Sequence, residues 1–565
     1  MSIKREIAIF LAIFALAAGL RLYHLGHYSL WMDEVYQVRL QNGATSLSQI
    51  IDYASRQNQP PLDYIIGYVV AKFFAFSETI ARGPAFLFGT CSIIASYTLA
   101  RRLFNQGTAI VSSLMMAFSV SLIYFSQEAR PYSIFLFFQL LVLNVFYRNL
   151  ESNEIKLWKW IFFTSIITLT LLTRGMAPVT FLLALIVSFS LAMLIFYLDF
   201  RRFIFPFTFN TLRNLIFSSL CAGLLFLPFF IKVWGQSHTY VKNNPIKDII
   251  SFPIIEPALL LFSHSLPYNM GKLWYFCLFG MVIGIFYIVR KRSAKKIQFV
   301  FLLYAFLEPL ISVYLFYVVV GTFMNPKPSY FVQSIIPIFI ICSYGYVSIL
   351  NDFSKNLGKN CQFILYFFML LVIAVVSVVQ LPSYYAKPKG FAQTDYRGAI
   401  QYLKTVYNEN DVAVYDTFRQ YGVWEPNLYG HGVYYNDDQM ALRQYNWNNF
   451  ISFLEKGFTT EGKLFLFLWV NKDDGTKFFN SDELVEKSFE QMTVVYIQNK
   501  SLSIKEQTLL FIDEMLKFFP EDSSRVDLYL AKAKILCQES KSEATKNVLL
   551  ANKLLKGKSV EYRCD

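Results

Sequence analysis

Long apolar runs through residues 1–381 limit this chain to one broad class of fold. A run of about 20 apolar residues is the length that a helix needs to cross a bilayer. Only 16% of the 565 residues are charged, whereas soluble domains average about 25%. Residues 382–565 instead read like those of a soluble protein. The chain is therefore predicted to be a polytopic α-helical membrane protein with a C-terminal globular part.

The positions of Lys and Arg predict the topology. Lys4 and Arg5 precede the first apolar run and place the N-terminus inside. Much of the net charge of +13 falls in short loops between apolar runs, so no nucleic-acid partner is predicted. With about 11 spans, every basic cluster falls on one side and the C-terminal part is extracytoplasmic, at the cell inner (plasma) membrane. The predicted spans are about 7–22, 83–101, 107–125, 132–148, 158–174, 176–198, 214–232, 272–290, 297–320, 329–350 and 362–381.

One apolar stretch fits two interpretations. Residues 60–76 either cross the membrane or lie in its interface as a juxtamembrane helix. A crossing would put Arg101 and Arg102 outside. The stretch is short and Lys72 interrupts it, which favours the interfacial helix. Loop 23–82 and loop 126–131 then face the same outer compartment.

Three domains are predicted: a transmembrane catalytic domain (1–381), an extracytoplasmic α/β domain (382–500) and a helical C-terminal region (501–565). The elements expected after the last span are a helix (Asp395–Tyr407), three strands (Asp411–Asp416, Lys463–Trp469 and Val494–Gln498) and three helices within about 504–556. Cys537 and Cys564 could pair if this part is extracytoplasmic.

Two acidic patches at the mouths of apolar segments indicate a site. Asp33 and Glu34 form the first patch, and Glu128 with Arg130 forms the second. Ionised groups at a membrane boundary are costly unless they are used. A carboxylate beside apolar walls has a raised pKa, which suits a general base. The planar, permanently charged fork of Arg suits a phosphate.

These residue types fit the transfer of a group from a lipid-linked phosphate. Asp33 would accept a proton from an acceptor hydroxyl or amine. Arg130, with Arg174 and Lys327, would stabilise the leaving phosphate. Attack opposite that phosphate would invert the sugar carbon.

Each of these residues also has a purely structural interpretation. Asp33 could cap a helix, and Glu128 with Arg130 could be an ion pair that ties two helices together. Arg174 could anchor a helix end, and Lys327 could be a solvated loop charge. Glu308, inside a predicted span, either pairs internally or lines the cavity.

Four motifs in order carry a family resemblance. The chain resembles the GT-C glycosyltransferases, in the bacterial branch related to dolichyl-phosphate-mannose protein mannosyltransferases and the lipid A aminoarabinose transferase. The motifs are Leu30-Trp31-Met32-Asp33-Glu34, Gln59-Pro60-Pro61-Leu62-Asp63-Tyr64, residues 81–89 (ARGPAFLFG) and residues 126–132 (SQEARPY). The resemblance implies a polyprenyl-phosphate sugar donor, an outward-facing site, inversion, and two juxtamembrane helices in the first outer loop. It also implies that Asp33 is the catalytic base and that Glu128 shapes the same site.

The chain departs from the family pattern at three places. Gln59 stands where several relatives carry Lys, Arg174 stands near where many carry His, and Ser329-Tyr330 replaces a frequent Arg-Tyr. The donor phosphate is therefore expected to contact a different set of cations, for which Arg130, Arg174 and Lys327 are the candidates.

Several alternatives stay open. The chain could be a transporter or flippase of a lipid-linked sugar, or a non-catalytic GT-C scaffold. The acceptor could be a glycan, a lipid or a protein. The Cys and His residues have no zinc-binding spacing, no cofactor is certain, and a divalent metal is left open.

Overall fold

A computed structural model of the chain divides into two compact units. The first comprises Met1–His27 and Leu40–Gly390, and the second comprises Tyr28–Arg39 and Phe391–Asp565. The residues that the structure describes are 3–31, 33–35, 37–38, 46–56, 59–151, 156–175, 177–201, 208–241, 271–290, 296–320, 332–354, 359–378, 381–386, 395–408, 410–415, 443–455, 462–469, 484–489, 492–497, 502–518, 525–537, 539–555 and 562.

The first unit is a bundle of helices. Its described elements are α1 (Ile3–Leu22), α2 (Leu47–Arg56), α3 (Leu62–Phe73), α4 (Glu78–Leu103), α5 (Gln106–Phe118), α6 (Val120–Ser126), α7 (Tyr132–Glu151), α8 (Leu157–Leu171), α9 (Ala177–Phe200), α10 (Phe209–Val241), α11 (Gly271–Arg290), α12 (Lys296–Val320), α13 (Val332–Ser354), α14 (Lys359–Val378) and α15 (Leu381–Ala386). One apolar core runs through them, including Phe135, Phe146 and Phe181, each 0% exposed.

Each predicted span falls on one of these helices, with α5 and α6 together covering the predicted span 107–125. By length and composition, five helices within the described residues can cross a membrane, or six if the bent pair α5–α6 counts as one span. Helix α1 is outside that number, and it carries Lys4, Arg5, Glu6 and Arg21. The total of about 11 crossings therefore stays a prediction.

The first loop contains two short helices, α2 and α3. At 12 residues, α3 reaches about 18 Å, well short of the ~30 Å hydrocarbon core of a bilayer. Its start is joined to the end of α8, since the Leu62 amide donates to the Leu172 carbonyl at 2.9 Å. This length agrees with the interfacial interpretation of residues 60–76 rather than with a crossing.

Helix α4 separates two chemically different ends of the bundle. Near its start, buried Arg82 donates to the Leu25 carbonyl at 2.9 Å. Towards its other end, 19 residues and therefore about 28 Å further along the helix, Arg101 pairs with Glu6 at 2.8 Å and Arg102 pairs with Glu151 at 2.7 Å. The end that carries Arg101 and Arg102 is thus distinct from the end that carries the motif at Arg82.

The pair α5–α6 bends by 64°. Ser119 lies between the two helices, and its side chain accepts a hydrogen bond from the Leu122 amide, which caps α6. The break leaves the last carbonyls of α5 without helical donors. Arg21 supplies them, donating to the Met116 carbonyl at 3.0 Å and to the Ala117 carbonyl at 3.3 Å.

Glycines let α11 and α13 cross closely. A Cβ atom added to Gly345 would lie 2.0 Å from the Gly280 carbonyl oxygen and 2.7 Å from the Gly284 nitrogen. Gly280 and Gly284 are four residues apart, the small-xxx-small spacing of membrane helix pairs. At this crossing, the backbones of the two helices pack directly against each other.

Glu308 belongs to a buried polar cluster among α9, α12 and α13. Its carboxylate accepts hydrogen bonds from Ser312 at 2.7 Å, from Gln333 at 3.0 Å and from Ser334. The Ser312 hydroxyl oxygen also lies 2.8 Å from the Thr180 hydroxyl oxygen. Glu308 is 0% exposed, so the structure supports the interpretation in which it pairs internally.

The second unit contains a five-stranded mixed sheet and helices. Its described elements are α16 (Tyr396–Val406), β1 (Val412–Tyr415), β2 (Arg443–Asn446), α17 (Trp447–Glu455), β3 (Leu464–Trp469), β4 (Leu484–Phe489), β5 (Met492–Ile497), α18 (Ile504–Phe518), α19 (Val526–Leu536) and α20 (Lys541–Leu554). The strand order is β2-β1-β3-β5-β4. Strand β1 is parallel to β2 and β3, whereas β5 is antiparallel to β3 and β4.

Strands β2 and β4 were not anticipated from the sequence. The predicted strands coincide with β1, β3 and β5, and three helices follow residue 504. Cys537 is disulfide-bonded, and its expected partner Cys564 lies outside the described residues.

Candidate active site

Residues 127–131 form a tight turn between α6 and α7 that presents Glu128. The Gln127 amide donates to the Tyr124 carbonyl and closes α6, and the Arg130 amide donates to the Glu128 carbonyl at 2.7 Å. Helix α7 then starts, with the Phe135 amide donating to the Pro131 carbonyl. Glu128 is 1% exposed and Arg130 is partly exposed. The turn thus places a carboxylate and a guanidinium two residues apart at one end of the bundle.

Hydrogen bonds fix this turn to the end of α1. The side-chain amide of Gln127 donates to the Arg21 carbonyl at 2.8 Å and to the Tyr23 carbonyl at 2.6 Å. The Arg21 guanidinium donates to the Ser126 hydroxyl at 3.2 Å. Gly89 leaves room for this contact, because a Cβ there would lie 2.1 Å from the Ser126 hydroxyl. The turn and the start of the first loop therefore lie together.

Arg174 approaches the turn from the end of α8. Its guanidinium carbon lies 4.5 Å from the centre of the Tyr132 ring, and the residue is 7% exposed. The Thr173 amide donates to the Thr170 carbonyl at 3.1 Å and continues the last turn of α8. The structure thus brings Arg174 to Tyr132, which lies two residues after Arg130 and four after Glu128.

Asp33 and Glu34 lie in a helical segment that belongs to the second compact unit. The Glu34 carboxylate accepts a hydrogen bond from the Trp31 amide at 3.2 Å, as the third residue of a capping box does. Ser29, in the same segment, accepts from the Arg397 amide at 3.3 Å at the start of α16. Glu34 is 0% exposed, whereas Asp33 is partly exposed. The capping bond supports an orienting role for Glu34.

Lys327, the third predicted phosphate contact, lies outside the described residues. Within those residues, no group of three or more His, Cys, Asp or Glu side chains is arranged to hold a metal ion.

Sequence reasoning missed two residues that hold the turn. Arg21 was given no role in the sequence analysis, but it is 0% exposed and donates hydrogen bonds only to neutral oxygens among the described residues. Tyr384 lies 257 positions from Gln127, yet its hydroxyl donates to the Gln127 side chain at 2.8 Å. No local sequence pattern identifies the partners of either residue. An Arg in the last turn of a membrane helix does, however, indicate that the residue needs a hydrogen-bonding partner.

A family model matches the part of the chain that contains most of these candidate site residues. Residues 58–234 match the family model described as dolichyl-phosphate-mannose-protein mannosyltransferase. The matched part includes Glu128, Arg130 and Arg174 and excludes Asp33 and Lys327.

Solved structures and one curated relative complete the comparison. The fold is similar to apo ArnT from Cupriavidus metallidurans, with a TM-score of 0.53, 12% identity, and coverage of 87% of this chain and 98% of that one. ArnT of the same organism bound to undecaprenyl phosphate matches with a TM-score of 0.49, 12% identity, and coverage of 88% and 98%. An uncharacterized protein of Aquifex aeolicus (strain VF5) is 25% identical over 383 residues, which are 63% of this chain and 66% of that protein.

The chain therefore has the fold of the GT-C glycosyltransferases. The resemblance predicted from the four motifs is confirmed at the level of the fold, and the family model matches residues 58–234.

Proposed function

We propose that this protein is a membrane glycosyltransferase that moves a sugar from a polyprenyl-phosphate donor to an extracytoplasmic acceptor with inversion. The observation that carries the proposal is the Glu128–Arg130 turn, bonded to the end of α1 and approached by Arg174. The family model that matches residues 58–234 is described by a dolichyl-phosphate sugar reaction, which supports a donor of the polyprenyl-phosphate class.

The proposed step uses Asp33 as the general base. Asp33 takes the proton from the acceptor hydroxyl or amine, whose lone pair attacks the anomeric carbon from the side opposite the phosphate. The bond between that carbon and the phosphate oxygen breaks, and the electron pair leaves with the lipid phosphate. Asp33 is partly exposed, which gives an acceptor access to its carboxylate.

The phosphate is proposed to contact Arg130 and Arg174, with Lys327 as a third cation. A guanidinium keeps its charge and offers a planar fork of donors to phosphate oxygens. Stabilising the charge that develops on a leaving group is the largest single contribution in many enzymes. Glu128 would orient these cations and the sugar.

We propose that the site faces the outer side of the membrane, and two observations support this. The basic pairs at Arg101 and Arg102 lie at the end of α4 opposite to the motif at Arg82, as the positive-inside rule requires for an outward site. The disulfide of Cys537 fits an oxidising, extracytoplasmic compartment for the C-terminal part.

Mass spectrometry of envelope lipids, glycans and proteins from cells with and without the chain tests the function. We expect one sugar-modified product that disappears with Asp33→Asn, because the amide cannot accept the proton. Asp513→Asn is the matched control, since Asp513 lies on α18 and pairs with Lys532. A product made at the normal rate by the Asp33→Asn variant would rule out Asp33 as the base, and counterflow of a lipid-linked sugar without any covalent product would instead indicate a transporter.

A further inference from the structure

Tyr384 lies on α15, the short helix that follows the last apolar helix of the bundle. It is 1% exposed, and its hydroxyl donates to the Oε1 atom of Gln127 at 2.8 Å. Gln127 immediately precedes Glu128. A residue near the end of the first unit therefore contacts the turn that presents the site.

This hydrogen bond acts together with two others on the orientation of the Gln127 amide. With Oε1 held by the Tyr384 hydroxyl, the amide NH2 group faces the Arg21 and Tyr23 carbonyls, and it donates to both. A flipped amide would put its oxygen against two carbonyl oxygens and lose both bonds. All three contacts of the amide thus depend on one orientation.

We propose that Tyr384 is a positioning residue for Glu128, acting through Gln127. Without the phenol hydroxyl, the buried Oε1 atom lacks its donor, and a buried acceptor without a donor is expensive. The Gln127 amide then keeps its two donations to the Arg21 and Tyr23 carbonyls but leaves a buried acceptor without a donor, so the turn is held less firmly to the end of α1. This inference deepens the proposed function and rests on it for its effect on catalysis.

The neighbouring Tyr385 offers a matched control. Its hydroxyl donates to the Leu20 carbonyl, and its ring contacts Tyr23 edge to face at 4.9 Å. Phenylalanine at either position keeps the ring and removes one hydroxyl from the same helix. Only the hydroxyl of Tyr384 contacts Gln127.

Hydrogen exchange of the purified full chain tests the positioning directly. We expect Tyr384→Phe to speed amide exchange in residues 126–130 about tenfold, the factor that corresponds to one lost net hydrogen bond. Tyr385→Phe should leave exchange in that turn within about twofold of the parent, since its hydroxyl does not reach Gln127. Equal exchange in the two variants, or no change in either, would overturn the proposal whether or not the chain transfers a sugar.

Kinetics then separates positioning from a general structural role. Tyr384→Phe should lower kcat about tenfold while KM for the lipid-linked sugar changes less than about twofold. In a Gln127→Leu background the same substitution should have no further effect, because its partner is gone. Additive losses would show that Tyr384 does not act through Gln127. Absence of transfer by the parent chain would contradict the proposed function, and the exchange result would still decide the role of Tyr384.

Discussion

The guanidinium of Arg174 lies over the ring of Tyr132, 4.5 Å from its centre. Tyr132 is two residues beyond Arg130, so this contact joins the end of α8 to the turn that carries Glu128. A cation over an aromatic face is held in place without losing its charge.

Replacing Arg174 by Lys should weaken binding of polyprenyl phosphate. Lysine keeps the charge but loses the planar fork and its stacking, so we expect about five- to tenfold weaker binding. Titration of the purified protein with polyprenyl phosphate measures this. Arg148→Ala is the control, since Arg148 is an exposed residue in the last turn of α7. Unchanged affinity in the Arg174 variant would make Arg174 a helix anchor only.

Replacing Arg21 by Met should destabilise the first unit. The change removes the side-chain donors of the Met116 and Ala117 carbonyls and of the Ser126 hydroxyl. We expect a loss of about 3 kcal/mol from the acceptors left buried without donors. Thermal unfolding in detergent measures it, with Arg56→Met as control, because Arg56 is an exposed residue at the end of α2. A melting temperature equal to that of the control would show that water replaces the guanidinium.

Replacing Gly345 by Ala should push α11 and α13 apart. The new Cβ would lie 2.0 Å from the Gly280 carbonyl oxygen, and backbone atoms cannot move aside cheaply. We expect a destabilisation of about 1–3 kcal/mol from overpacking. Gly223→Ala on α10 is the control, because nothing lies within 4 Å of its Cβ position, and alanine favours a helix. Similar unfolding midpoints for the two variants would argue against a tight crossing.

The stability of the end of α1 should depend on pH through His24. Burial, and then the charge of His27, lower the pKa of His24 below its ordinary value of 6.5. The folded protein therefore binds this proton less readily than the unfolded chain, so stability falls as the pH drops below 6.5. His24→Asn should reduce that fall.

Unfolding midpoints at pH 7.5 and pH 5.5 for the parent and the His24→Asn variant measure this effect. Asparagine is a suitable replacement because His24 has a φ of 60°, a conformation that Asn tolerates. The same pH dependence in both proteins would show that other groups cause it.

The structural features that the sequence predicted are those that depend on the length of apolar runs, on charge and on local motifs. Each predicted span falls on a helix, because a run of apolar residues specifies its own secondary structure in a membrane. The break at Ser119 was missed, because Ser is tolerated inside helices. The bend is indicated only by the carbonyl groups that accept hydrogen bonds from Arg21, and the sequence does not show those contacts. Strand β4 was missed because Val485 and Lys487 give it no clear apolar period.

The sequence predicted the candidate site best where several of its residues lie within one motif. Glu128 and Arg130 are close in sequence, and their turn is a local feature. Arg174 was proposed from its position at a helix end, but its contact with Tyr132 depends on how α7 and α8 pack. The bond between Tyr384 and Gln127 spans 257 positions, and no pattern within a single sequence encodes such a distance.

The neutral acceptors of Arg21 have a consequence for biosynthesis. Met116 and Ala117 follow it by 95 and 96 residues, so a nascent chain that has released only α1 offers this guanidinium only the Ala17 carbonyl among its backbone acceptors. An unsatisfied Arg prefers the aqueous boundary to hydrocarbon. We expect α1 to settle to its final depth only after α5 and α6 have left the ribosome, and in a chain truncated after α4 a cysteine placed at Gly19 should react with water-soluble reagents that cannot reach it in the complete protein.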